Sequence, residues 1–220
     1  MPRGRSVQLN MGDEQVGSLI YPRPLAGGDQ DAARIRLALQ INGHVSSPLI
    51  FTGIFSAEEC VRIATLASRR RQRAGRMMYA RPNIRKSTIA WLDIHEDSEW
   101  LYDKVWQTFL AVNRWFKFDL LGFVDEIQYA TYAVGDRFGW HLDAGGGQTS
   151  TRKLSMSVQL SDDDGYSGGD LEFAACSQLE PLRRRGTIIV FPSFLAHQVT
   201  PVTRGTRRSL VAWAHGPAFK

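Results

Sequence analysis

His141 and Asp143 stand one residue apart in the segment 139–143. Side chains alternate along a β-strand, so an imidazole and a carboxylate at this spacing can face the same way and hold one divalent ion. His197, much later in the chain, adds a second imidazole. Two imidazoles and one carboxylate that leave coordination positions open form the donor set of non-haem Fe(II) sites. The spacing alone is a weak signal, and it predicts a metal site only if the fold brings His197 to the pair.

A second chemical feature is the sequence Arg207-Arg208-Ser209. On a strand over 207–214, Arg207 and Ser209 share one face and Arg208 takes the other. A buried guanidinium is costly without an anionic partner, and its forked donors suit a small carboxylate bound through two hydrogen bonds. Seen alone, Arg207 is better explained as a structural arginine paired with an internal Asp or Glu.

The C-terminal half must supply the strands that position these residues. From Glu126 onward the hydrophobic pattern has period two, and Gly-rich and Asp-rich turns separate the segments. The predicted strands are 126–134, 137–143, 152–160, 169–174, 187–191, 198–202 and 207–214. Short strands with such turns are typical of a sandwich or barrel. A jelly roll can bring the starts of distant strands together at one mouth, which is what His141 and His197 require.

Two helices and two strands are predicted before this region. Ser56 and Glu59 form a capping-box pattern, so a helix begins there and runs to about Arg70. Its predicted buried stripe consists of Val61, Ala64, Leu66 and Ala67. Ser98 is the predicted cap of a second helix over 98–116, and the segments 48–55 and 87–92 are predicted strands. Helices followed by strands, without βαβ alternation, favour an α+β fold: a double-stranded β-helix (jelly roll) of about eight strands backed by N-terminal helices.

The 220 residues favour one domain with an N-terminal annex. Residues 1–45 are weakly patterned and interrupted by Pro and Gly, so we expect an extension that is partly strand or disordered. Residues 46–220 are expected to form the main domain, with helical support over 56–116 and the jelly-roll core over 126–215.

The net charge of +5 is carried by arginine, and the segment 69–86 holds eight basic residues and no acidic one. Such a basic segment attracts anions, whether nucleic acid, an acidic substrate or phosphate. A solvated helix end followed by a surface loop is the more common explanation of a basic run.

Other features of the composition argue against several classes of protein. No apolar run approaches the roughly 18 residues of a membrane span, and the first residues lack the apolar core of a secretory signal. We therefore expect a cytoplasmic protein without a membrane partner. Cys60 and Cys176 are too few for a disulfide framework and are expected to be buried thiols. A monomer and a homodimer both remain open.

Several stretches of the chain carry a resemblance to a known family. They are residues 48–60, 132–143, 167–173, 186–192 and 197–210. Together they resemble the 2-oxoglutarate- and Fe(II)-dependent dioxygenases, in the prolyl 4-hydroxylase-like branch. The resemblance covers most of the chain, and the combined pattern is specific.

The resemblance implies a hydroxylase with a defined cofactor site. The residues that it implies as Fe(II) ligands are His141, Asp143 and His197. It also implies that 2-oxoglutarate chelates the iron and places its distal carboxylate on Arg207, with help from Ser209 and with Tyr132 lining the pocket. O2 would take the last iron position, ascorbate would serve as reductant, and hydroxylation of an unactivated C–H bond would release succinate and CO2. Because Asp143 is a carboxylate rather than a small residue, halogenation is disfavoured.

The resemblance does not decide the substrate, since one fold serves many substrates. A peptidyl, amino-acid-derived or other small-molecule substrate is expected. Arg85, Arg137, Trp140 and the glycines 145–147 are candidates for substrate contacts, and each has a structural explanation of about equal weight. Phe138 stands where many relatives have tyrosine, so one hydroxyl is missing near the first metal ligand.

Two other functions stay open. The basic segment between Arg69 and Lys86 could direct an oxygenase to nucleic acid, but no RNA or DNA recognition motif is present, so this alternative is less favoured. A jelly roll that binds metal or 2-oxoglutarate without turnover is the other alternative. The complete ligand set together with Arg207 argues against it.

Overall fold

The computed structural model describes residues 45–75, 84–175 and 183–219. These residues lie within the unit His44–Lys220. Apart from residue 45, the predicted N-terminal extension lies outside the described residues, and so does Cys176. Cys60 is buried, as predicted. Within the described part of the chain, no helix is long and apolar enough to cross a membrane.

Helix α1 (Ala57–Ser68) begins where the capping box predicts. The Ser56 hydroxyl accepts a hydrogen bond from the Glu59 amide at 3.2 Å, and the Glu59 carboxylate accepts one from the Ser56 amide at 2.8 Å. This reciprocal pair satisfies amide groups that have no partner within the helix, which explains why the helix starts at this point.

The buried face of α1 differs from the predicted stripe. It consists of Cys60, Ile63, Leu66 and Ala67. Val61 is 58% exposed, so the prediction that it is buried is wrong. Residues three and four apart share a helix face, and the face that holds Leu66 and Ala67 also holds Ile63 and Cys60, which leaves Val61 on the solvent side.

Helix α2 (Glu99–Phe116) occupies nearly the predicted range. Ser98 stands at its N-cap position, but the side chain makes no cap hydrogen bond to the helix, contrary to the prediction. The hydroxyl instead donates to the Asp93 carbonyl at 2.6 Å and accepts from the His95 amide at 2.9 Å. Ser98 therefore stabilises the turn that precedes the helix rather than the first helical turn.

The strands form a seven-stranded and a four-stranded sheet, with one further two-stranded ribbon. The strands are β1 (Leu49–Phe51), β2 (Arg73–Ala74), β3 (Arg85–Lys86), β4 (Thr88–Leu92), β5 (Ile127–Tyr132), β6 (Arg137–His141), β7 (Arg152–Gln159), β8 (Tyr166–Gly168), β9 (Leu171–Phe173), β10 (Ile188–Pro192), β11 (His197–Val199), β12 (Val202–Gly205) and β13 (Arg207–His215). The larger sheet has the order β1-β10-β7-β13-β5-β4-β2, the smaller has the order β3-β6-β11-β9, and β12 pairs with β8. The predicted α+β jelly roll backed by helices is confirmed.

The ribbon of β8 and β12 is missing from the sequence prediction. Gly168 and Gly169, at φ of +66° and +65°, turn the chain between β8 and β9. A Cβ on Gly168 would lie 2.2 Å from the Pro201 carbonyl oxygen, and one on Gly169 would lie 3.0 Å from the Arg207 side chain. Only glycine fits these positions without strain, so the turn brings the backbone directly against Arg207.

Strands β7 and β13 are buried on both faces, and this sets the character of the interior. The residues that both strands direct into the core with the helices are Leu154, Met156, Val158, Leu210, Ala212 and Ala214. The alternate side chains face the other way because side chains alternate along a strand. Those of β13 that line a cavity are Arg207, Ser209, Val211 and Trp213. One face of the sheet therefore holds the core and the other holds polar groups.

Phe109 of α2 is fully buried in the core between helix and sheet. We expect Phe109→Ala to lower the free energy of unfolding by about 3–5 kcal/mol, because it removes a large apolar side chain and leaves a cavity. The exposed Val61 provides the control, and Val61→Ala should change stability by no more than about 0.5 kcal/mol. Urea denaturation measures both, and similar losses in the two variants would contradict this description of the core.

Candidate metal centre

The pairing of β6 with β11 brings the two histidines together. His141 is the last residue of β6, His197 is the first residue of β11, and the two are partners across the antiparallel ladder. Asp143 lies just beyond β6, where its backbone amide and that of Ala144 donate to the Ser193 carbonyl at 2.9 and 2.8 Å. Ligand atoms of His141, Asp143 and His197 lie within 4.8 Å of one another. The structure thus brings the predicted metal-ligand residues to one point.

Both imidazoles are oriented by backbone carbonyls. Nδ1 of His141 lies 2.8 Å from the Gly139 carbonyl oxygen, and Nδ1 of His197 lies 2.8 Å from the Leu195 carbonyl oxygen. A carbonyl oxygen only accepts hydrogen bonds, so each Nδ1 carries a proton and each Nε2 is the ring nitrogen that can offer a lone pair. These Nε2 atoms lie 3.7 and 3.6 Å from the two carboxylate oxygens of Asp143. All three side chains thus direct a lone pair towards the same space, as a bound ion requires.

Two serines support Asp143, and sequence reasoning missed both. The Ser155 hydroxyl donates to Asp143 Oδ2 at 2.7 Å, and the Ser193 hydroxyl lies 3.0 Å from that of Ser155. Both serines are fully buried. The only sequence signal is a serine that alternates with Leu154 and Met156 in a strand buried on both faces. Because buried polar groups are costly without partners, such a serine indicates a polar site on that face.

The electrostatics favour the protonation states that bind metal. Burial, reinforced by the neighbouring His197, lowers the pKa of His141 to about 4 even though Asp143 acts in the opposite direction. Burial alone would raise the pKa of Asp143, but the two imidazoles and the Ser155 hydroxyl outweigh it and hold the pKa below its usual value. At neutral pH His141 is therefore neutral and Asp143 is ionised, as metal ligands must be.

Phe138 packs directly on His141, one of the predicted metal ligands. Its ring stacks on the His141 imidazole with centroids 3.5 Å apart and planes 10° from parallel. The guanidinium carbon of Arg85 lies 4.6 Å from the centroid on the Phe138 ring. The resemblance leads one to expect a tyrosine at this position. Phe138 lacks the hydroxyl, and its ring packs on the His141 imidazole.

Arg207 is buried without a carboxylate partner among the described residues. It is 1% exposed, and its Nη1 donates to the Ser209 hydroxyl at 3.0 Å. Its Nε and Nη2 have no hydrogen-bond partner in the described part of the chain. The Tyr132 ring lies beside it, with its centroid 5.5 Å from the guanidinium carbon, whereas Arg208 is exposed. The alternative of an internal Asp or Glu partner has no support in the described residues, and the unsatisfied donors suit an anion.

One cavity of about 600 Å³ extends from the His141–Asp143–His197 cluster to Arg207. Tyr132 and Ser209 line it at the Arg207 end, and Arg85 lines it beside Phe138. Of the predicted substrate contacts, Arg85, Gly145 and Gly146 are therefore in the cavity wall. Arg137 is exposed and Trp140 is 47% exposed, and neither belongs to the wall.

A second polar group in the wall was not anticipated from the sequence. Asp125 Oδ2 accepts hydrogen bonds from Arg152 Nε at 2.8 Å and from His215 Nε2 at 3.0 Å. Burial raises the pKa of Asp125, but these two hydrogen bonds outweigh it and keep the pKa below its usual value. Arg152 also donates to the Asp143 carbonyl at 3.2 Å and lies 3.9 Å above the Trp213 ring. Asp125 precedes β5 and His215 ends β13, so nothing in their sequence spacing predicts this contact.

The described basic residues of the segment 69–86 have different surroundings. Arg69, Arg71 and Arg73 are exposed. Arg70 pairs with Asp93 at 2.7 Å and with Asp97 at 3.1 Å, while Arg85 lies in the cavity wall. Arg76 and Arg81 are outside the described residues.

Part of the chain is similar to known sequences. Residues 127–215 match the family model of the 2OG-Fe(II) oxygenase superfamily. A PKHD-type hydroxylase of Synechococcus sp. (strain CC9902) is 36% identical over 97 residues, which cover 44% of this chain and 44% of that protein. A PKHD-type hydroxylase of Caulobacter sp. (strain K31) is 42% identical over 90 residues, which cover 37% of this chain and 39% of that protein. The chain thus aligns with less than half the length of these curated relatives.

Solved structures give the same result for the fold. A Pseudomonas putida prolyl-4-hydroxylase superposes with a TM-score of 0.61 and 26% identity, covering 78% of this chain and 93% of that chain. A viral collagen prolyl hydroxylase from Paramecium Bursaria Chlorella virus-1 has a TM-score of 0.60 and 20% identity, covering 80% and 98%, and this likeness concerns the fold alone.

A jelly roll with a buried cluster of two histidines and one aspartate is typical of non-haem metal oxygenases. Over residues 127–215 the chain is similar to the 2OG-Fe(II) oxygenase superfamily, and its fold is similar to that of a prolyl-4-hydroxylase. Members of that superfamily, as its name states, use 2-oxoglutarate and Fe(II).

The Ser155 hydroxyl provides a direct test of the site. We expect Ser155→Ala to weaken Fe(II) or Mn(II) binding about 10- to 100-fold, because the residues that orient ligand side chains typically contribute that much. Ser157→Ala, two residues along the same strand, serves as the matched control and should leave the affinity unchanged. Anaerobic titration calorimetry measures the dissociation constants. Equal affinities of the two variants would show that Ser155 does not orient Asp143.

Proposed function

We propose that this chain is an Fe(II)- and 2-oxoglutarate-dependent dioxygenase. It hydroxylates an unactivated C–H bond of a peptidyl, amino-acid-derived or other small-molecule substrate and releases succinate and CO2, with ascorbate as reductant. The observation that carries the proposal is that one cavity holds both the buried His141–Asp143–His197 cluster and the buried, unsatisfied Arg207 guanidinium. The names of the PKHD-type hydroxylases and of the Pseudomonas putida prolyl-4-hydroxylase support hydroxylation as the reaction.

The residues present fit both cofactors. Two imidazoles and one ionised carboxylate suit Fe(II), and the three side chains leave coordination positions for other ligands. Nε and Nη2 of Arg207 are the donors for the distal carboxylate of 2-oxoglutarate, with Ser209 and Tyr132 beside them. Arg207 is 1% exposed, and a guanidinium buried in this way gives the strongly directional binding that a small dicarboxylate needs.

The chain's own contribution to catalysis is positioning and exclusion of water. Bound iron and 2-oxoglutarate supply the oxidising chemistry with O2. The Gly139 and Leu195 carbonyls fix the two imidazoles, and Ser155 fixes the carboxylate, so the ligand geometry is set before metal binds. Phe138 closes one side of His141 and shields it from solvent.

Loss of a ligand side chain should abolish turnover without unfolding the protein. We expect His141→Ala and Asp143→Ala to form no succinate from 2-oxoglutarate, because the remaining two ligand side chains cannot hold the metal tightly. Circular dichroism should show an unchanged fold, and Val61→Ala should keep full turnover. Succinate formation at the wild-type rate by either ligand variant would refute the assignment of the metal site.

The two adjacent arginines 207 and 208 offer a matched pair of variants. Arg207→Ala should raise the KM for 2-oxoglutarate about 10- to 100-fold, since hydrogen bonds to a charged group contribute about 1.5–3 kcal/mol. Arg208→Ala should leave KM unchanged because Arg208 is exposed on the opposite strand face. Steady-state kinetics with Fe(II) and ascorbate measure both. Equal KM values would mean that the cosubstrate binds elsewhere.

The same assay separates an enzyme from a binding module. Wild-type protein that binds Fe(II) and 2-oxoglutarate but yields no succinate, either alone or with cell lysate as a source of substrate, would favour a jelly roll that only binds its ligands.

A further inference from the structure

Arg85 lies in the cavity wall, close to the His141–Asp143–His197 cluster. It belongs to β3, and its partner across the ladder is Phe138 of β6. Its guanidinium carbon lies 4.6 Å from the Phe138 ring centroid, and that ring stacks on His141. A Cβ on Gly75 would lie 2.7 Å from Arg85 Nε, so a glycine makes room for the side chain. The guanidinium is therefore held in place beside the metal-ligand residues.

The polar contacts that hold Arg85 are all neutral. Its Nε donates to the Ser87 hydroxyl at 2.9 Å and its Nη2 donates to Gln128 Oε1 at 2.7 Å. Both partners are buried. Across the described residues Arg85 makes no ion pair, although Arg70, Arg152 and Arg183 each pair with an aspartate. The neighbouring segment 76–83, outside the described residues, contains no acidic residue. Within the described part of the chain, the wall therefore orients the guanidinium without neutralising its charge.

The other charges in the cavity balance one another once the cofactors are counted. The lining residues with charged side chains are Arg85, Arg152, Arg207, Asp125 and Asp143. Arg152 forms an ion pair with Asp125. The negative charge of Asp143 equals the positive charge of Arg207 in the count, although the two side chains do not pair. A divalent iron and a doubly charged 2-oxoglutarate cancel as well. One positive charge remains, and it is that of Arg85.

We propose that the primary substrate carries a carboxylate, which Arg85 binds. This inference rests on the proposed function and names the chemical class of its substrate. A carboxylate pairs with a guanidinium in a planar, directional contact, and Ser87 and Gln128 fix the plane in which it is received. Trp91, which is the ladder partner of Gln128, and Trp213 also line the cavity, with their ring centroids 6.3 Å apart. The rest of the substrate therefore lies against an aromatic wall.

The experiment uses the full-length protein under anaerobic conditions with Fe(II) and saturating 2-oxoglutarate, which occupies Arg207. The probes are N-acetyl amino acids, each compared with its primary amide, and acetylated peptide amides with and without one Asp or Glu. Binding is read from tryptophan fluorescence and from the visible absorption band of the Fe(II)–2-oxoglutarate complex. The first pair of probes tests a free carboxylic acid, and the second tests a peptide side chain as the source of the carboxylate.

Wild-type protein should bind acids at least about tenfold more tightly than the matched amides, as expected for a hydrogen bond to a charged group. Arg85→Gln should remove this preference, and Arg85→Lys should keep part of it because the charge remains. Arg137→Gln is the matched control, since Arg137 is an exposed basic residue adjacent to Phe138 and outside the cavity wall, and it should behave as wild type. All variants should show the same absorption band, which shows that the fold and the cofactor site are intact.

The outcomes that contradict the inference are distinct. An intact absorption band with no preference for acids in the wild type overturns the carboxylate assignment alone. A full preference that survives in Arg85→Gln also overturns it, since the carboxylate then binds elsewhere. Absence of the absorption band in the wild type overturns the proposed function, and with it this inference.

Discussion

The antiparallel pairing of β6 with β11 is the constraint on which the site depends. It sets His141 opposite His197, at the end of one strand and the start of the other. A shift of one residue in either strand would turn one imidazole to the opposite face of the sheet. Asp143 lies beyond the ladder and cannot be positioned by it. The backbone contacts to the Ser193 carbonyl and the hydroxyl of Ser155 hold it instead, so the third ligand relies on β7 and on the turn after β10.

The double burial of β7 and β13 explains how a polar site can exist inside this domain. One face of each strand packs with α2 in the main core, and that burial stabilises the sheet by roughly 25 cal/mol for each Å² of apolar surface removed from water. The opposite face carries Ser155, Arg207 and Ser209, which would be costly without partners. Each serine has a partner in the site, and Arg207 keeps two donors that have no partner among the described residues. The apolar face thus offsets the cost of the functional face.

The sequence predicts the parts of the fold that are set locally. The Ser56–Glu59 capping box and the seven period-two strands depend on neighbours along the chain, and each overlaps an observed element, whereas the ribbon of β8 and β12 was not predicted. Val61 was placed wrongly because apolar character alone cannot choose between adjacent helix faces when the packing partner is unknown. The sequence likewise does not show which backbone group the Ser98 hydroxyl contacts, and it donates to the preceding turn rather than capping the helix.

Some residues of the candidate site can likewise be predicted from local sequence patterns, and others cannot. The short spacing of His141 and Asp143, and the alternation of Arg207 with Ser209, are local patterns, whereas His197 needed the jelly-roll fold to meet them. Ser155 with Asp143, and Asp125 with His215, are contacts between distant segments whose spacing has no period. These contacts depend on how distant segments align in the folded chain, and the alignment cannot be read from the sequence alone.

The three arginines of the cavity differ in whether a carboxylate neutralises their charge. Arg152 is neutralised within the chain by Asp125, while Arg207 and Arg85 have no carboxylate partner among the described residues. An unpaired guanidinium in a protein interior lowers the stability of the free protein. An anion that binds only the folded state recovers stability by mass action, about 2.7 kcal/mol at a concentration of 100 times its dissociation constant. Folding and occupation of the cavity are therefore linked, and the charges that make the empty cavity unfavourable are the same charges that make it selective for anions.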